Sequence, residues 1–135
     1  SLCPVTPETI AQRLNFVHMD GKAVFRFAAK VMGKTVETSL HRAGMEREEL
    51  DYLVPHQANI RIIQAAAKRL AMPMEKVIIN IHHYGNMSAA SIPVALAEAA
   101  HAHRFKKGDN IALAGFGAGL TWASCIMKWA KEENG

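Results

Sequence analysis

Strand-like and helix-like segments alternate along this sequence, and no other feature constrains its fold as strongly. Short apolar runs predict strands at five places, residues 15–19, 52–54, 77–79, 110–115 and 120–129. Longer stretches with apolar residues at helical spacing predict three helices, over residues 22–42, 58–71 and 90–103. Parallel strands joined by helical crossovers form an α/β sheet, and two consecutive final strands add an antiparallel edge. The sequence therefore predicts an α/β fold, with a mixed five-stranded sheet and helices packed on it.

The first predicted helix has the most clearly marked ends. Asp20 is suited to its N-terminus, because a carboxylate accepts hydrogen bonds from the free N–H groups of the first turn. Gly44 is suited to end it, while Gly33 lies inside it and weakens it by up to ~1 kcal/mol relative to alanine. Residues 1–14 hold two prolines and no clear period, so we expect a leader loop there and the folded domain over residues 15–135.

The composition is that of one ordinary globular domain. The chain has 135 residues, of which half are hydrophobic and about a fifth are charged. No apolar run approaches the ~18–20 residues that a membrane-spanning helix needs, and no secretory leader opens the chain, so we expect a cytoplasmic protein that binds no membrane. Sixteen basic against twelve acidic residues favour an acidic partner, but this modest excess does not predict nucleic-acid binding.

Neither cysteine is placed like a nucleophile. A reactive thiol needs a helix N-terminus or a cationic neighbour to lower its pKa. Cys3 precedes Pro4 in an irregular segment, and Cys125 is predicted to be a core thiol in the middle of a strand. Two cysteines are also too few for a disulfide framework.

The paired histidines do not have the spacing of a metal site. His82 and His83 are consecutive, and in a predicted strand they point to opposite faces. His101 and His103 are two residues apart on a predicted helix, where they do not face each other. We therefore expect no metal ion.

One histidine lies at the junction of a predicted strand and a predicted helix. His56 follows the buried run 52–54 and comes shortly before the second helix. Ligands of α/β sheets bind beyond the carboxyl ends of the strands, which makes His56 a candidate functional residue. A histidine that only satisfies a helix N-terminus explains the same pattern, so both interpretations stay open at this point.

Two glycine-containing segments are further candidates. Asn86 lies in GNMSAAS (85–91) and offers an amide donor there, although that segment alone is typical of a simple turn. The segment GFGAG (115–119) is not a dinucleotide-binding loop, because the β-prone Thr121 and Trp122 follow it instead of a helix. Close approach of this backbone to a substrate and simple strand reversal are the remaining interpretations.

Four segments carry a resemblance to a known family. They are VPHQANIRII (54–63), YGNMSAAS (84–91), GFGAGLTW (115–122) and, more weakly, DGKAVFRFA (20–28). In this order and spacing they resemble the C-terminal half of the 3-oxoacyl-ACP synthase III family, within the thiolase-like superfamily. The resemblance implies one thiolase-like half of a two-part fold, and it makes residues 1–14 the end of a truncated N-terminal half.

The resemblance also implies roles for individual residues. The family's active site uses Cys, His and Asn; His56 and Asn86 match the last two, and the cysteine belongs to the N-terminal half. The backbone N–H of Ala118 matches a position in the oxyanion hole. Phe25 and Asn59 match positions that line the tunnel for coenzyme A and pantetheine, although a core aromatic and a helix-opening polar residue are their ordinary explanations.

Basic residues on two predicted helices match the surface on which the family docks acidic acyl carrier protein. Arg61 and Lys68 are seven residues apart, hence on one helix face, and Arg69 is adjacent. Arg26 and Lys30 extend this patch from the first helix. Such residues ordinarily form a solvated face, so the resemblance carries the docking role. Charge pairing of this kind mainly raises the encounter rate and is sensitive to salt.

The sequence is thus interpreted as the C-terminal part of a condensing enzyme. The resemblance implies decarboxylative Claisen condensation of an acyl group from acyl-CoA with malonyl-ACP, which initiates fatty acid synthesis. Coenzyme A thioesters are then substrates, no cofactor is expected, and the partners are acyl carrier protein, the N-terminal half and a second copy in a homodimer. A related enzyme with polyketide or quinolone-type products and a catalytically incomplete interaction domain are the alternatives. Met87 and Ala118 depart from the family's common threonine and glycine, which leaves the acyl-chain preference open.

Overall fold

The computed structural model describes residues 4–131, and helices cover both faces of a small sheet. Within these residues the α-helices are α1 (Pro7–Ala11), α2 (Gly21–Arg42), α3 (Ile60–Arg69), α4 (Ile81–Tyr84) and α5 (Ser91–His101). The strands are β1 (Tyr52–Pro55), β2 (Asn110–Gly117) and β3 (Thr121–Lys128), and 3-10 turns occupy Arg47–Glu49, Met74–Lys76 and Ser88–Ala90. Cys3 lies outside the described residues, so its predicted environment stays a prediction.

The sheet is mixed, in the order β1-β2-β3. β1 pairs in parallel with β2, with Tyr52 opposite Ile111. β2 pairs in antiparallel with β3, and Gly117 lies opposite Thr121 at the hairpin end. The predicted α/β class and the antiparallel edge are therefore confirmed.

The predicted number of five strands is wrong, since the described residues form three. Val77 makes a single parallel bridge to Leu53, and the chain enters α4 a few residues later, so residues 77–79 do not extend into a strand. Residues 15–19 form no strand either, and the side chain of Val17 is 96% exposed. Both runs have the composition of strands, but an extended segment needs a neighbouring strand to satisfy its backbone.

The predicted leader loop contains a helix. Thr6 and Thr9 form a capping box at the start of α1, and Pro7 takes the first helical position. This combination is a helix-start signal. It was missed in the sequence because residues 1–14 have no clear apolar period.

The predictions for Cys125 and for the paired histidines are also corrected. Cys125 lies within β3 as predicted, but it is exposed rather than in the core. Cys125 lies on the face of the sheet that α5 covers. Because α5 packs over β1, the edge strand β3 is exposed at this position. His82 and His83 lie in α4 and not in a strand, because the side chain of Gln57 accepts hydrogen bonds from two successive N–H groups at that point and begins a helix.

The alternating residues of the strands divide the core into two clusters. Leu53 and Ala112 pack with α2 and α3 on one face of the sheet. Val54 and Ile111 pack with α5 on the other face. The arrangement has three layers, and the carboxyl ends of β1 and β2 meet at one edge of the middle layer.

The longest helix, α2, follows its predicted boundaries closely. The Asp20 carboxylate accepts hydrogen bonds from the N–H groups of Lys22 and Ala23, both at 3.0 Å. The predicted apolar stripe buries Met32 and Val36, among others. Neither α2 nor any other helix in the described part of the chain is long and apolar enough to span a membrane.

The glycine inside α2 allows α3 to approach it closely. A Cβ atom on Gly33 would lie 2.8 Å from Cδ and 3.0 Å from Cβ of Arg69. These separations are shorter than van der Waals contact, so α2 and α3 can approach this closely only because Gly33 has no side chain. The lower helix propensity of glycine is offset here by packing.

We predict that Gly33→Ala destabilises the chain by about 1 kcal/mol. The gain of up to ~1 kcal/mol in helix propensity is outweighed by ~1–3 kcal/mol of overpacking against Arg69. The free energy of unfolding in urea measures the difference. The matched control is Gly21→Ala in the same helix, where a new Cβ meets nothing within 4 Å and the free energy of unfolding should not fall. Equal stabilisation by both substitutions would contradict the packing explanation.

Candidate active site

His56 lies just beyond the carboxyl end of β1. Its backbone N–H donates to the carbonyl oxygen of Ala114 at 2.7 Å, which extends the parallel pairing of β1 and β2 by one residue. The half-buried imidazole packs against the Phe116 ring in an edge-to-face arrangement, with ring centroids 5.4 Å apart. His56 therefore contacts the glycine-containing end of β2 directly.

Ser91, the first residue of α5, brings the second segment to the same histidine. Its hydroxyl oxygen lies 2.5 Å from Nδ1 of His56, and the side chain is fully buried. Asn86 lies five residues earlier on the same segment. The three segments singled out in the sequence thus converge at one end of the sheet, around His56.

The side chain of Gln57 holds this arrangement together, although the sequence analysis did not single it out. It is completely buried. Its amide nitrogen donates to the carbonyl oxygens of Pro55 and Ile78, at 2.8 and 3.1 Å. Its oxygen accepts from the N–H groups of Asn80 and Ile81, at 3.1 and 3.2 Å. All four hydrogen-bonding positions of the carboxamide are filled, and the end of β1 is tied to the start of α4.

Asn86 lies in the exposed connection between α4 and α5. Gly85, with a φ of 67°, makes the turn that leads into it. The Asn86 side-chain oxygen accepts a hydrogen bond from the N–H of Ser88 at 3.0 Å, so the amide nitrogen is left as the outward donor. Asn86 and His56 make no hydrogen bond to each other in the described structure, and Ser91 connects their segments.

A second set of contacts fastens this connection to α5. The Tyr84 hydroxyl donates a hydrogen bond to the Glu98 carboxylate, and the Asn80 side chain donates to the same carboxylate at 2.7 Å. The Tyr84 hydrogen bond, followed by that from Asn80, lowers the pKa of Glu98, and the same contact with Glu98 raises the pKa of Tyr84. Both ends of α4 are thereby held to α5.

Ala118 lies in the three-residue connection between β2 and β3. Its carbonyl oxygen accepts a hydrogen bond from the Thr121 hydroxyl at 3.2 Å, whereas its N–H meets no acceptor among the described residues. The next residue, Gly119, has a φ of 146°, and a Cβ there would lie 2.7 Å from Cγ2 of Thr121. The backbone at Ala118 is thus an exposed donor on a turn that requires glycine.

Phe25, in the first turns of α2, and Asn59, at the start of α3, both contact Arg61. The Asn59 side chain caps α3 by accepting from the N–H of Arg61 at 2.9 Å. The Arg61 guanidinium lies over the Phe25 ring, 5.3 Å from its centroid, and Phe25 packs at the margin of the core. Asn59 has the ordinary helix-opening role, and the tunnel role of both residues stays a prediction.

The predicted docking residues differ in how far their charges are already paired. Arg69 forms an ion pair with Glu37 at 2.8 Å, and Arg47 pairs with the same carboxylate at 2.7 Å. Arg26 and Lys68 are exposed and make no ion pair within residues 4–131. Surface ion pairs contribute only ~0–1 kcal/mol. Arg69 therefore stays in the predicted patch, although Glu37 partly offsets its positive charge.

Metal-ligating side chains do not cluster in the described part of the chain. No group of three or more His, Cys, Asp or Glu residues is arranged there to hold an ion. The His82 and His83 rings lie side by side, with centroids 4.1 Å apart.

A family model covers most of this fold. A family model described as 3-oxoacyl-[acyl-carrier-protein (ACP)] synthase III C terminal matches residues 40–129. The chain belongs to this family. The matched region runs from the end of α2 through β3 and contains His56, Asn86 and Ala118.

Individual relatives agree with this membership. Beta-ketoacyl-[acyl-carrier-protein] synthase III of Clostridioides difficile (strain 630) is 54% identical over 122 residues, which are 90% of this chain and 37% of the relative. The solved 3-oxoacyl-(acyl carrier protein) synthase III of Pseudomonas aeruginosa PAO1 superposes with a TM-score of 0.85 at 44% identity, over 97% of this chain and 40% of that chain. A structure of Xanthomonas campestris OleA with bound lauric acid and lauroyl-CoA gives a TM-score of 0.76 at 32% identity, over 82% of this chain and 33% of that chain. The thiolase-like fold is confirmed, and this chain spans about two fifths or less of the length of these proteins.

We predict that His56 titrates below the ordinary histidine value of 6.5, because partial burial lowers its pKa by disfavouring the charged ring. Unfolding exposes the ring to water and removes the desolvation penalty on its charged form. Between the lowered pKa and 6.5 the unfolded chain therefore binds more protons than the folded chain. The free energy of unfolding should therefore fall as the pH drops through that window, and it should fall less in His56→Gln. An NMR titration of the imidazole measures the pKa directly, and a value at or above 6.5 would contradict the desolvation.

Proposed function

We propose that this chain is the C-terminal part of a condensing enzyme that joins an acyl group from acyl-CoA to malonyl-ACP. The reaction is a decarboxylative Claisen condensation, the step that initiates fatty acid synthesis. One observation carries the proposal: His56 contacts both Ser91, on the segment of Asn86, and Phe116, on the segment that leads to Ala118. Membership of the synthase III family supports it.

The proposed chemistry requires donors for a developing negative charge. When the malonyl thioester loses carbon dioxide, the electron pair of the broken C–C bond forms an enolate, and charge develops on the thioester oxygen. Nε2–H of His56 and the amide of Asn86 are suited to stabilise it, and one such donor contributes ~3 kcal/mol, or ~100-fold in rate. The lowered pKa of His56 keeps the ring neutral, so it donates a hydrogen bond without giving up a proton.

The second half of the reaction uses a cysteine that we assign to the companion N-terminal half. The enolate carbon attacks the acyl carbonyl of a thioester on that cysteine, and the thiolate leaves. The free N–H of Ala118 is suited to bind the carbonyl oxygen as charge develops there. We propose that Met87 and the methyl group of Ala118 shape the acyl pocket.

We propose thioesters of coenzyme A and acyl carrier protein as substrates, without a resident cofactor. We propose that Phe25 and Asn59, which both contact Arg61 near the starts of α2 and α3, line the entrance for a pantetheine arm. The bound lauroyl-CoA in OleA is an example of such a thioester on a related fold.

We further propose that the chain packs against the N-terminal half of the enzyme, within a cytoplasmic homodimer. Large apolar side chains near its start are exposed, namely Val5, Ile10, Leu14, Phe16, Val17 and Met19. An exposed apolar group of this size is typical of a surface that another protein element covers. The limited span of the chain on its relatives supports the same assignment.

We predict that His56→Ala, in this chain combined with a matching N-terminal half, lowers malonyl-thioester decarboxylation at least 100-fold while acylation from acetyl-CoA proceeds. Acylation needs the cysteine and Ala118, whereas decarboxylation needs the imidazole donor. Released carbon dioxide and intact mass report the two steps separately. The matched control is His83→Ala, which removes an exposed imidazole from α4 and should change neither step.

Three outcomes would overturn the proposal. Persistent decarboxylation by His56→Ala would remove the role given to this residue. Stable acylation of Cys125 in the chain alone would show that the nucleophile has been assigned wrongly. Failure of both steps in every combination would favour a non-catalytic interaction domain.

We predict that charge reversal on α3 weakens the use of acyl carrier protein but not of small thioesters. Lys68→Glu should lower kcat/KM with malonyl-ACP about tenfold at low salt and much less at high salt, because surface charges steer encounter and are screened. Malonyl-CoA serves as the comparison substrate. Lys128→Glu, at the far end of β3, is the matched control. An equal loss for both substrates would contradict a docking role.

A further inference from the structure

We propose that Ser91 is a positioning residue that holds His56 in the neutral tautomer with its proton on Nε2. The proposal follows from the hydrogen-bond geometry of a buried hydroxyl and a half-buried imidazole, and its catalytic consequence rests on the function proposed above. It adds to that function a residue from α5 that touches no substrate. Ser91 acts through the ring nitrogen of His56 that faces away from the reaction.

The single hydroxyl hydrogen of Ser91 has one destination. The Ser91 oxygen uses a lone pair to accept a hydrogen bond from the backbone N–H of Gln57 at 3.3 Å. Its other contact is Nδ1 of His56 at 2.5 Å, and within residues 4–131 the hydroxyl meets no other acceptor. The hydroxyl hydrogen therefore lies on the line to Nδ1, which must be unprotonated to accept it. A neutral imidazole that accepts at Nδ1 carries its proton on Nε2.

Burial of Ser91 makes this hydrogen bond favour one tautomer of His56 over the other. The Ser91 side chain has no exposed surface, so water cannot compete for the hydroxyl. Ser91, Ala95 and Ala99 form the buried stripe of α5, which fixes the position of the serine against the sheet. A tautomer with its proton on Nδ1 would leave the hydroxyl hydrogen buried without an acceptor, and such an unmet group is costly.

The tautomer decides what His56 presents to a substrate. With the proton on Nε2, the ring offers an N–H donor to an oxygen that gains negative charge. With the proton on Nδ1, it would offer a lone pair and repel that oxygen. The edge contact with Phe116 holds the ring plane, so Ser91 and Phe116 together set the direction of the donor.

The tautomer can be measured in this chain without any assay of activity. Long-range proton–nitrogen NMR correlations on the nitrogen-15-labelled chain, at a pH where His56 is neutral, distinguish the two ring nitrogens. We expect Nε2 protonated and Nδ1 in the range of a hydrogen-bonded acceptor. Ser91→Ala should shift the Nδ1 resonance, Ser91→Thr should retain it, and Ser124→Ala, which removes a distant partly buried hydroxyl, should leave it unchanged. A proton on Nδ1 in the unsubstituted chain would overturn the proposal, whatever the variants do.

The catalytic consequence is measured separately in the chain combined with its N-terminal half. We expect Ser91→Ala to lower kcat for decarboxylation about tenfold, the magnitude of one ordinary hydrogen bond, with KM within twofold and with rescue by Ser91→Thr. A loss confined to KM would overturn the positioning role. If the NMR result holds but the unsubstituted combination has no condensing activity, the proposed function fails while the tautomer assignment stands.

Discussion

The buried carboxamide of Gln57 makes four hydrogen bonds, and the positions of both candidate catalytic segments follow from them. Two of these bonds hold carbonyl oxygens of the chain at Pro55 and Ile78, and two begin the helix at Ile81. An amide with all its donors and acceptors filled has one orientation, and each buried partner left unsatisfied costs ~1–3 kcal/mol. His56, next to this residue, and the loop that follows α4 are thus fixed relative to the same group.

The surroundings of His56 favour the neutral form of its side chain. Burial disfavours the imidazolium form, and the hydroxyl of Ser91 occupies the nitrogen on the buried side. The other nitrogen makes no hydrogen bond among the described residues, and the ring contacts Phe116, two residues before Ala118. Donors that are already oriented need no reorganisation when charge develops, which is the source of most such stabilisation.

The sequence predicted the features that local patterns determine. The apolar stripe with Met32 and Val36 and the cap at Asp20 define α2 almost to the residue, because both signals lie within one helix. Residues 77–79 look like a strand but make one bridge only, and residues 15–19 make none, since pairing depends on what other parts of the chain supply. His56 and Asn86 were candidates from their own segments, the family resemblance implied their roles, and the structure adds the contacts that bring their segments together.

Two polar residues that support the site, Gln57 and Ser91, were missed in the sequence. A buried Gln57 has no local signature, because three of its four partners are 21 to 24 residues away along the chain. Ser91 had a signal that was available: it continues the helical stripe of Ala95 and Ala99, which places it on the buried face of α5. A serine on such a face requires a partner, and the structure identifies that partner as His56.

A crystal structure of the chain with its N-terminal half and a non-hydrolysable malonyl thioester analogue is the most direct test of the convergence on which the proposed chemistry depends. We predict that the thioester oxygen lies about 2.7–3.1 Å from both Nε2 of His56 and the amide nitrogen of Asn86. An oxygen held by only one of these groups, or side chains that face separate cavities, would contradict it.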